Sequence, residues 1–203
     1  MDKIFISAEE QLLDSYRLGV KIHASGFRPD FIVGLWRGGS PVGIGVQDCL
    51  EYLGVKTDHI SIRTSYTGMD TYTDMIENES GIRVHGLQYL LENLEADNNL
   101  LIVDDVYNTG LNVKAVIDQL SEKTRRNMPV TVRIAVVWYK PANNRTGRIP
   151  DYYLHETDKW LVLPYELSGL SLDEIYRNKT GVKEIFEELE DILPADRFNN
   201  PSE

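Results

Sequence analysis

The chain has 203 residues, 42% of them hydrophobic and 26% charged, which suits a single globular domain with a sizeable core. Its net charge of −11 argues against general affinity for nucleic acid, which relies on Lys and Arg neutralising phosphates. One cysteine, Cys49, excludes an intrachain disulfide and a Cys-based zinc cluster, and no run reaches the ~18 apolar residues of a membrane span.

The N-terminus, MDKIFISAEEQ, has no basic region followed by an apolar stretch, so it does not read as a secretory signal, and the expectation is a cytoplasmic protein. Ser7 followed by Glu10 is a capping-box pattern that opens a helix with an apolar face of Leu12, Leu13, Tyr16 and Val20. FIVGLW, Phe31 to Trp36, reads as a buried strand running into RGGSPVG. Two glycines at a strand end permit close ligand approach, and Pro41 suits the first turn of the next helix. That helix carries Val42, Val46, Cys49 and Leu50, so Cys49 reads as a core thiol rather than a nucleophile. HISIR, His59 to Arg63, alternates like a strand. From Thr64 to about Val84 no apolar period survives, and a loop of that length predicts a lid over the site. A short helix is expected from Gly86 to Leu94.

LLIVDDVYNTGLNVK, Leu100 to Lys114, is the stretch the rest is arranged around. A buried strand ends in adjacent carboxylates, Asp104 and Asp105, followed by a small, polar turn and a helix with Val113, Val116, Ile117 and Leu120 on one face. Strand ends are where open α/β sheets bind ligands, and free amides at a helix start attract anions. Neighbouring strand residues point to opposite faces, so the two acids are expected to share one polar ligand rather than act as a close dyad. TVRIAVVWY, Thr131 to Tyr139, is another strand ending at Lys140-Pro141. Asp151 to His155 and Lys159 to Leu163 read as short strands. Leu170 and Leu172 open a docking segment. Val182, Ile185, Phe186, Leu189 and Ile192 form an amphipathic terminal helix. Strands alternating with helices predict an α/β fold whose mostly parallel sheet is flanked by helices.

IVDDVYNTG, with an apolar strand before it and a helix after it, resembles the phosphoribosyl-pyrophosphate binding motif of the type I phosphoribosyltransferases. WRGG, Trp36 to Gly39, is similar to their pyrophosphate loop. The downstream string WYKPANNRTGRIPDYYLHETDKWLVLPYE resembles the base-binding region of the purine branch, the hypoxanthine, guanine and xanthine enzymes. The resemblance covers about Phe31 to Glu166. It implies one domain over 1–203, with a core at about 26–140 and a small base-binding hood from about 141–170 plus the terminal segments. It also implies phosphoribosyl pyrophosphate and a purine base as partners, Mg²⁺ as cofactor, and a homodimer.

By the same resemblance Asp104 and Asp105 hold the ribose hydroxyls with magnesium close by, and Glu166 holds a second magnesium. Arg37, Gly38 and Gly39 meet the pyrophosphate, while Asn108, Thr109, Gly110, Leu111 and Asn112 cradle the 5′-phosphate. Lys140 meets the exocyclic oxygen of a 6-oxopurine, Trp160 stacks on the base, and the Leu161 backbone bonds its edge. Arg37, Asp104, Asp105 and Asn108 form the catalytic set. Two positions depart from the family. Asn108 stands where the purine branch has an Asp able to exchange a proton at N7, and an amide donates a hydrogen bond but takes no proton at neutral pH. TGLN, Thr109 to Asn112, replaces a loop that often closes in Gly-Thr. The expected activity is therefore purine phosphoribosyl transfer. The alternative is a catalytically weak protein that binds phosphoribosyl pyrophosphate or nucleotide as a regulator.

Overall fold

The computed structural model describes residues 2–66 and 81–190. Two compact units form: residues 12–158 make one, and residues 1–11 with 159–203 make the other. Among the described residues, the larger unit holds a six-stranded sheet, with β2 (Phe31–Trp36), β3 (Asp58–Tyr66), β4 (Ile82–His85), β5 (Asn99–Tyr107), β6 (Thr131–Tyr139) and β7 (Tyr152–Glu156). Their order is β4-β3-β2-β5-β6-β7, and every pairing is parallel except β3 with β4. The chain passes from β2 to β3 in one direction, then returns to lay β5 on the other side of β2. Order reverses between β2 and β5, and ligands of open α/β sheets sit in the crevice outside such a reversal.

The continuous apolar runs of β2 and β5 follow from helices covering both faces. Leu100 and Ile102 pack with Leu90 of α3 (Gln88–Asn93) and with Val113, Val116 and Leu120 of α4 (Leu111–Thr124). Leu101 and Val103 pack on the other face with Leu18 and Ile22 of α1 (Ala8–Ala24) and Val42, Val46 and Leu50 of α2 (Gly39–Tyr52). Leu100 to Val103 are all 0% exposed. Each such side chain contributes about 1.5–3 kcal/mol through burial.

Helix α1 presents a different face from the one its apolar period predicts. Leu12, Leu13, Tyr16 and Val20 are exposed, while Asp14, Ser15, Leu18 and Ile22 turn inward. Close packing selects this face. A Cβ at Gly19 would lie 2.8 Å from Cys49 Cβ, and one at Gly45 would lie 2.6 Å from Ser15 Cβ. Small residues thus let α1 and α2 approach, and the larger apolar stripe is left outside. Asp14 is tied inward by Arg17 at 2.6 Å and His155 at 2.7 Å. Cys49 is half-buried and donates to the Tyr16 carbonyl; burial and Asp48 raise its pKa, against a nucleophilic role.

Three boundaries shift from their sequence-based positions. Thr64 to Tyr66 and Ile82 to Val84 are the paired arms of β3 and β4, so the expected lid narrows to 67–80, which lies outside the described residues. The larger unit runs to residue 158 rather than ending near 140, because β7 adds to the sheet through pairs such as Val136↔Tyr153. The expected docking segment at Leu170 becomes α5 (Leu172–Asn178), opened by a capping box between Ser171 and Glu174.

In the smaller unit β1 (Lys3–Phe5) pairs in parallel with β8 (Trp160–Val162), Lys3 opposite Trp160. The capping-box pair Ser7 and Glu10 forms as expected, with the Glu10 backbone donating to Ser7 Oγ at 3.1 Å. The C-terminal helix α6 spans Val182–Glu190, and Ile192 lies outside the described residues. No helix among the described residues is long and apolar enough to cross a membrane.

Candidate functional site

The carboxyl ends of β2 and β5 carry the two turns the sequence singles out. After Trp36 the chain passes through a cis peptide to the exposed Arg37, then to buried Gly38 and Gly39, where α2 begins. A Cβ at Gly39 would lie 2.4 Å from the Val103 carbonyl oxygen and 3.1 Å from Asp104 Oδ1. Only a residue without a side chain brings the start of α2 onto β5 at this point. The same absence of bulk places the end of the Arg37–Gly39 turn directly beside Asp104.

Asp104 and Asp105 both turn back onto the main chain. Asp105 N–H donates to Asp104 Oδ1 at 3.0 Å, and Val106 N–H donates to Asp105 Oδ1 at 2.7 Å, so each carboxyl curls onto the following amide. Burial, then the charge of Asp105 and a side-chain hydrogen bond with it, holds the Asp104 carboxyl well above the usual range.

Asn108 to Gly110 form the turn into α4. Gly110 caps that helix at φ 78, a left-handed conformation that glycine adopts without strain. Its missing side chain also makes room for the Tyr107 hydroxyl, which would otherwise lie 2.4 Å from a Cβ. Leu111 N–H, an expected phosphate donor, points instead to Thr109 Oγ1 at 3.3 Å. Asn112 lies next in α4, in its first turn.

Lys140 follows β6, one strand further along the rim. Its backbone N–H donates to the Tyr107 carbonyl at 2.9 Å, which sets it beside Asn108. Burial lowers the Lys140 pKa, opposed by the nearby Asp158. Two contacts in this region escape the sequence reading. Asn143 Nδ2–H donates to Asn108 Oδ1 at 2.7 Å, and Arg145 N–H donates to the Thr109 carbonyl at 3.0 Å. ANNRTGRIP reads as turn filler, and no spacing in it signals either contact.

Trp160, Leu161 and Glu166 belong to the smaller unit. Trp160 is 44% exposed at the start of β8, whereas Leu161 is buried. Trp160, Val162, Glu166 and Leu170 line a cavity of about 280 Å³ together with Lys3, a residue the sequence gives no reason to choose. Glu166 Oε2 accepts from the Leu163 N–H at 2.9 Å, so its carboxylate caps its own turn. Among the described residues no group of three or more His, Cys, Asp and Glu is placed to hold a metal ion. Paired carboxylates still fit magnesium, which keeps several waters and uses one or two protein carboxylates beside substrate phosphates.

The model of the phosphoribosyl transferase domain matches residues 8–168. The chain belongs to the phosphoribosyltransferase family. No curated protein matches its sequence. Among solved structures this phosphoribosyltransferase is similar to a purine phosphoribosyltransferase from Pyrococcus horikoshii Ot3, at 24% identity and TM-score 0.61 over 84% of this chain and 97% of that one. A hypothetical protein from Neisseria gonorrhoeae with bound ppGpp aligns at 21% identity and TM-score 0.65, over 87% and 95%. The xanthine-guanine-hypoxanthine phosphoribosyltransferase of Helicobacter pylori aligns at 14% identity and TM-score 0.60, over 92% and 99%. At these identities the likeness is one of fold.

Proposed function

We propose that this phosphoribosyltransferase joins a 6-oxopurine to phosphoribosyl pyrophosphate, releasing a nucleoside monophosphate and pyrophosphate. The observation that supports the reading is the close approach of Gly39 to Asp104 at the strand-order reversal, where the two turns that resemble the family's motifs meet. In this reading Asp104 and Asp105 hold the ribose hydroxyls, and the turn from Asn108 to Asn112 takes the 5′-phosphate at the start of α4. Arg37 and the Gly38 and Gly39 amides stabilise pyrophosphate as its bond to the ribose breaks, a mainly electrostatic contribution. Lys140 donates to the purine oxygen and Trp160 supplies the stacking face. Asp104 and Asp105, with Glu166 for a second ion, are the groups that would hold magnesium, which when bound neutralises charge on the departing pyrophosphate.

Incubation with magnesium, phosphoribosyl pyrophosphate and single bases tests the proposal. Nucleotide is expected from at least one of hypoxanthine, guanine and xanthine; none from any of the three would refute it. Asn108 favours one second reading, a nucleotide-binding regulator with little turnover, and the ppGpp-bound Neisseria relative makes that nucleotide a sensible ligand to try. Tight binding of phosphoribosyl pyrophosphate or ppGpp with no product from any base would support it.

A further inference from the structure

The ribbon of β3 and β4 gathers positive charge on one face, in a chain whose net charge is −11. The two strands pair antiparallel, with Arg63 opposite His85 and Ser65 opposite Arg83. Strand residues two apart share a face, and so do residues directly opposite, so these four side chains project from one surface. Ile62 and Val84 belong to the other face, where they pack into the core, whereas Arg63, Arg83 and His85 are exposed. Ser65 Oγ lies 2.8 Å from His85 Nε2, a diagonal contact across the exposed face.

The same face leads to the turn after β2. Ser61, two residues before Arg63, holds its hydroxyl 2.9 Å from that of Ser40 in the first turn of α2. Arg63 itself stands level with Trp36 in the pairing of β2 with β3, and Trp36 is the residue before the Arg37–Gly39 turn. Arg63 therefore flanks that turn, and Arg83 and His85 extend the surface on the side away from β2. Diagonal partners such as Arg63 and Arg83 have Cβ atoms roughly 7 Å apart, within which two guanidinium groups can close on a single anion. Like charges so placed destabilise a sheet. Among the described residues neither arginine forms an ion pair that would offset the repulsion. A phosphate held between them does, since its oxygens match the planar donor fork of each guanidinium.

We propose that the face carrying Arg63, Arg83 and His85 is a second phosphate subsite, set beside the Arg37–Gly39 turn and separate from the turn after β5. Its occupant is a phosphate group of a small ligand. That group belongs either to the pyrophosphate released by the reaction, passing outward over the arginines, or to a separate effector. The first source rests on the transferase reading above; the second needs only the ribbon.

Calorimetry on the full chain with magnesium, using pyrophosphate and inorganic phosphate as probes, tests the subsite. The ribbon variant Arg63→Gln/Arg83→Gln removes both guanidiniums from an exposed surface, and its urea midpoint should not fall below that of the wild type. Lys123→Gln/Arg126→Gln, at and just beyond the far end of α4, removes the same charge elsewhere and is the control. If the occupant is released pyrophosphate, the ribbon variant should bind pyrophosphate about tenfold more weakly than the wild type. If it is a separate effector, wild type saturated with phosphoribosyl pyrophosphate should still bind inorganic phosphate, and the ribbon variant should do so about tenfold more weakly. Absence of wild-type binding to both probes, unchanged affinity for both in the ribbon variant, or an equal loss in the control overturns the subsite and leaves the transferase reading standing. Failure of the wild type to bind phosphoribosyl pyrophosphate overturns the transferase reading instead, and inorganic phosphate titrated into the free wild type and ribbon variant then decides the subsite by the same comparison.

Discussion

The two sides of the rim are built by different means. On the phosphate side, the turns after β2 and β5 are held by backbone: Gly39 lies against the Val103 carbonyl, and Gly110 clears the Tyr107 hydroxyl. On the base side, the turn after β6 reaches the site through side chains, with Asn143 on Asn108 at 2.7 Å. Backbone packing cannot be altered without moving the elements that bear it. Side-chain hydrogen bonds on a partly exposed rim can be rewritten one residue at a time. In the proposed reading the fold thus keeps the part of the ligand common to a whole family and leaves the base open to change.

The largest expected effect tests the phosphate side. Gly39→Ala puts a Cβ 2.4 Å from a main-chain oxygen that cannot swing away, so α2 must shift off β5. Overpacking of this kind costs about 1–3 kcal/mol or more, and affinity for phosphoribosyl pyrophosphate should fall by at least about 100-fold. Gly54→Ala is the control: its φ of 84 carries strain of about 1 kcal/mol but nothing lies within 4 Å, and affinity should hold. Retained affinity in Gly39→Ala would erase the distinction. Next in size is Lys140→Ala, which removes one charge-assisted hydrogen bond. The kcat/KM for hypoxanthine should drop about 10–100-fold, with phosphoribosyl pyrophosphate affinity and urea midpoint unchanged. A matching drop in both ligands would mean that Lys140 serves the strand end rather than the base. Smaller again is Trp160→Ala, where loss of stacking should raise the KM for the base about tenfold. Its exposed ring makes a large loss of stability unexpected.

The same division decided what could be read from the residues. The parallel sheet, its central strands and the turns after β2 and β5 were legible, because apolar runs, glycines and paired acids each have a narrow physical meaning. Helix α1 was misread because it carries two apolar stripes, and the choice depended on Gly19 and Gly45, small residues that count for nothing in a hydrophobic pattern. The curl of each aspartate onto the following amide was missed for a related reason. Alternation along a strand fixes where Cβ atoms point, but not where a carboxyl curls to find an amide. Asn143 and Lys3 left no trace, since one sits in a turn of common turn residues and the other owes its place to the pairing of β1 with β8.

The smallest effect lies beneath the phosphate side, at His59 on β3. Its ring packs against Gly34 and Gly43, with Nδ1 3.2 Å from Gln47 Oε1 and Nε2 buried with no hydrogen-bond partner among the described residues. Burial lowers its pKa below the ordinary 6.5, opposed by the charge of Asp58. The folded protein therefore keeps His59 neutral while the unfolded chain takes up the proton first. This contribution to stability is fully present above about pH 6.5 and is lost as pH falls from there towards the folded pKa. Urea midpoints measured from about pH 7.5 to about pH 5.5 should decline in the wild type and decline less in His59→Gln, which cannot be protonated. Asn143→Ala, on the base side, should keep the wild-type slope. Equal slopes in the wild type and His59→Gln would mean that water reaches the ring. The close backbone packing around Gly34 and Gly43, on which the phosphate side rests, would then be looser than its distances imply.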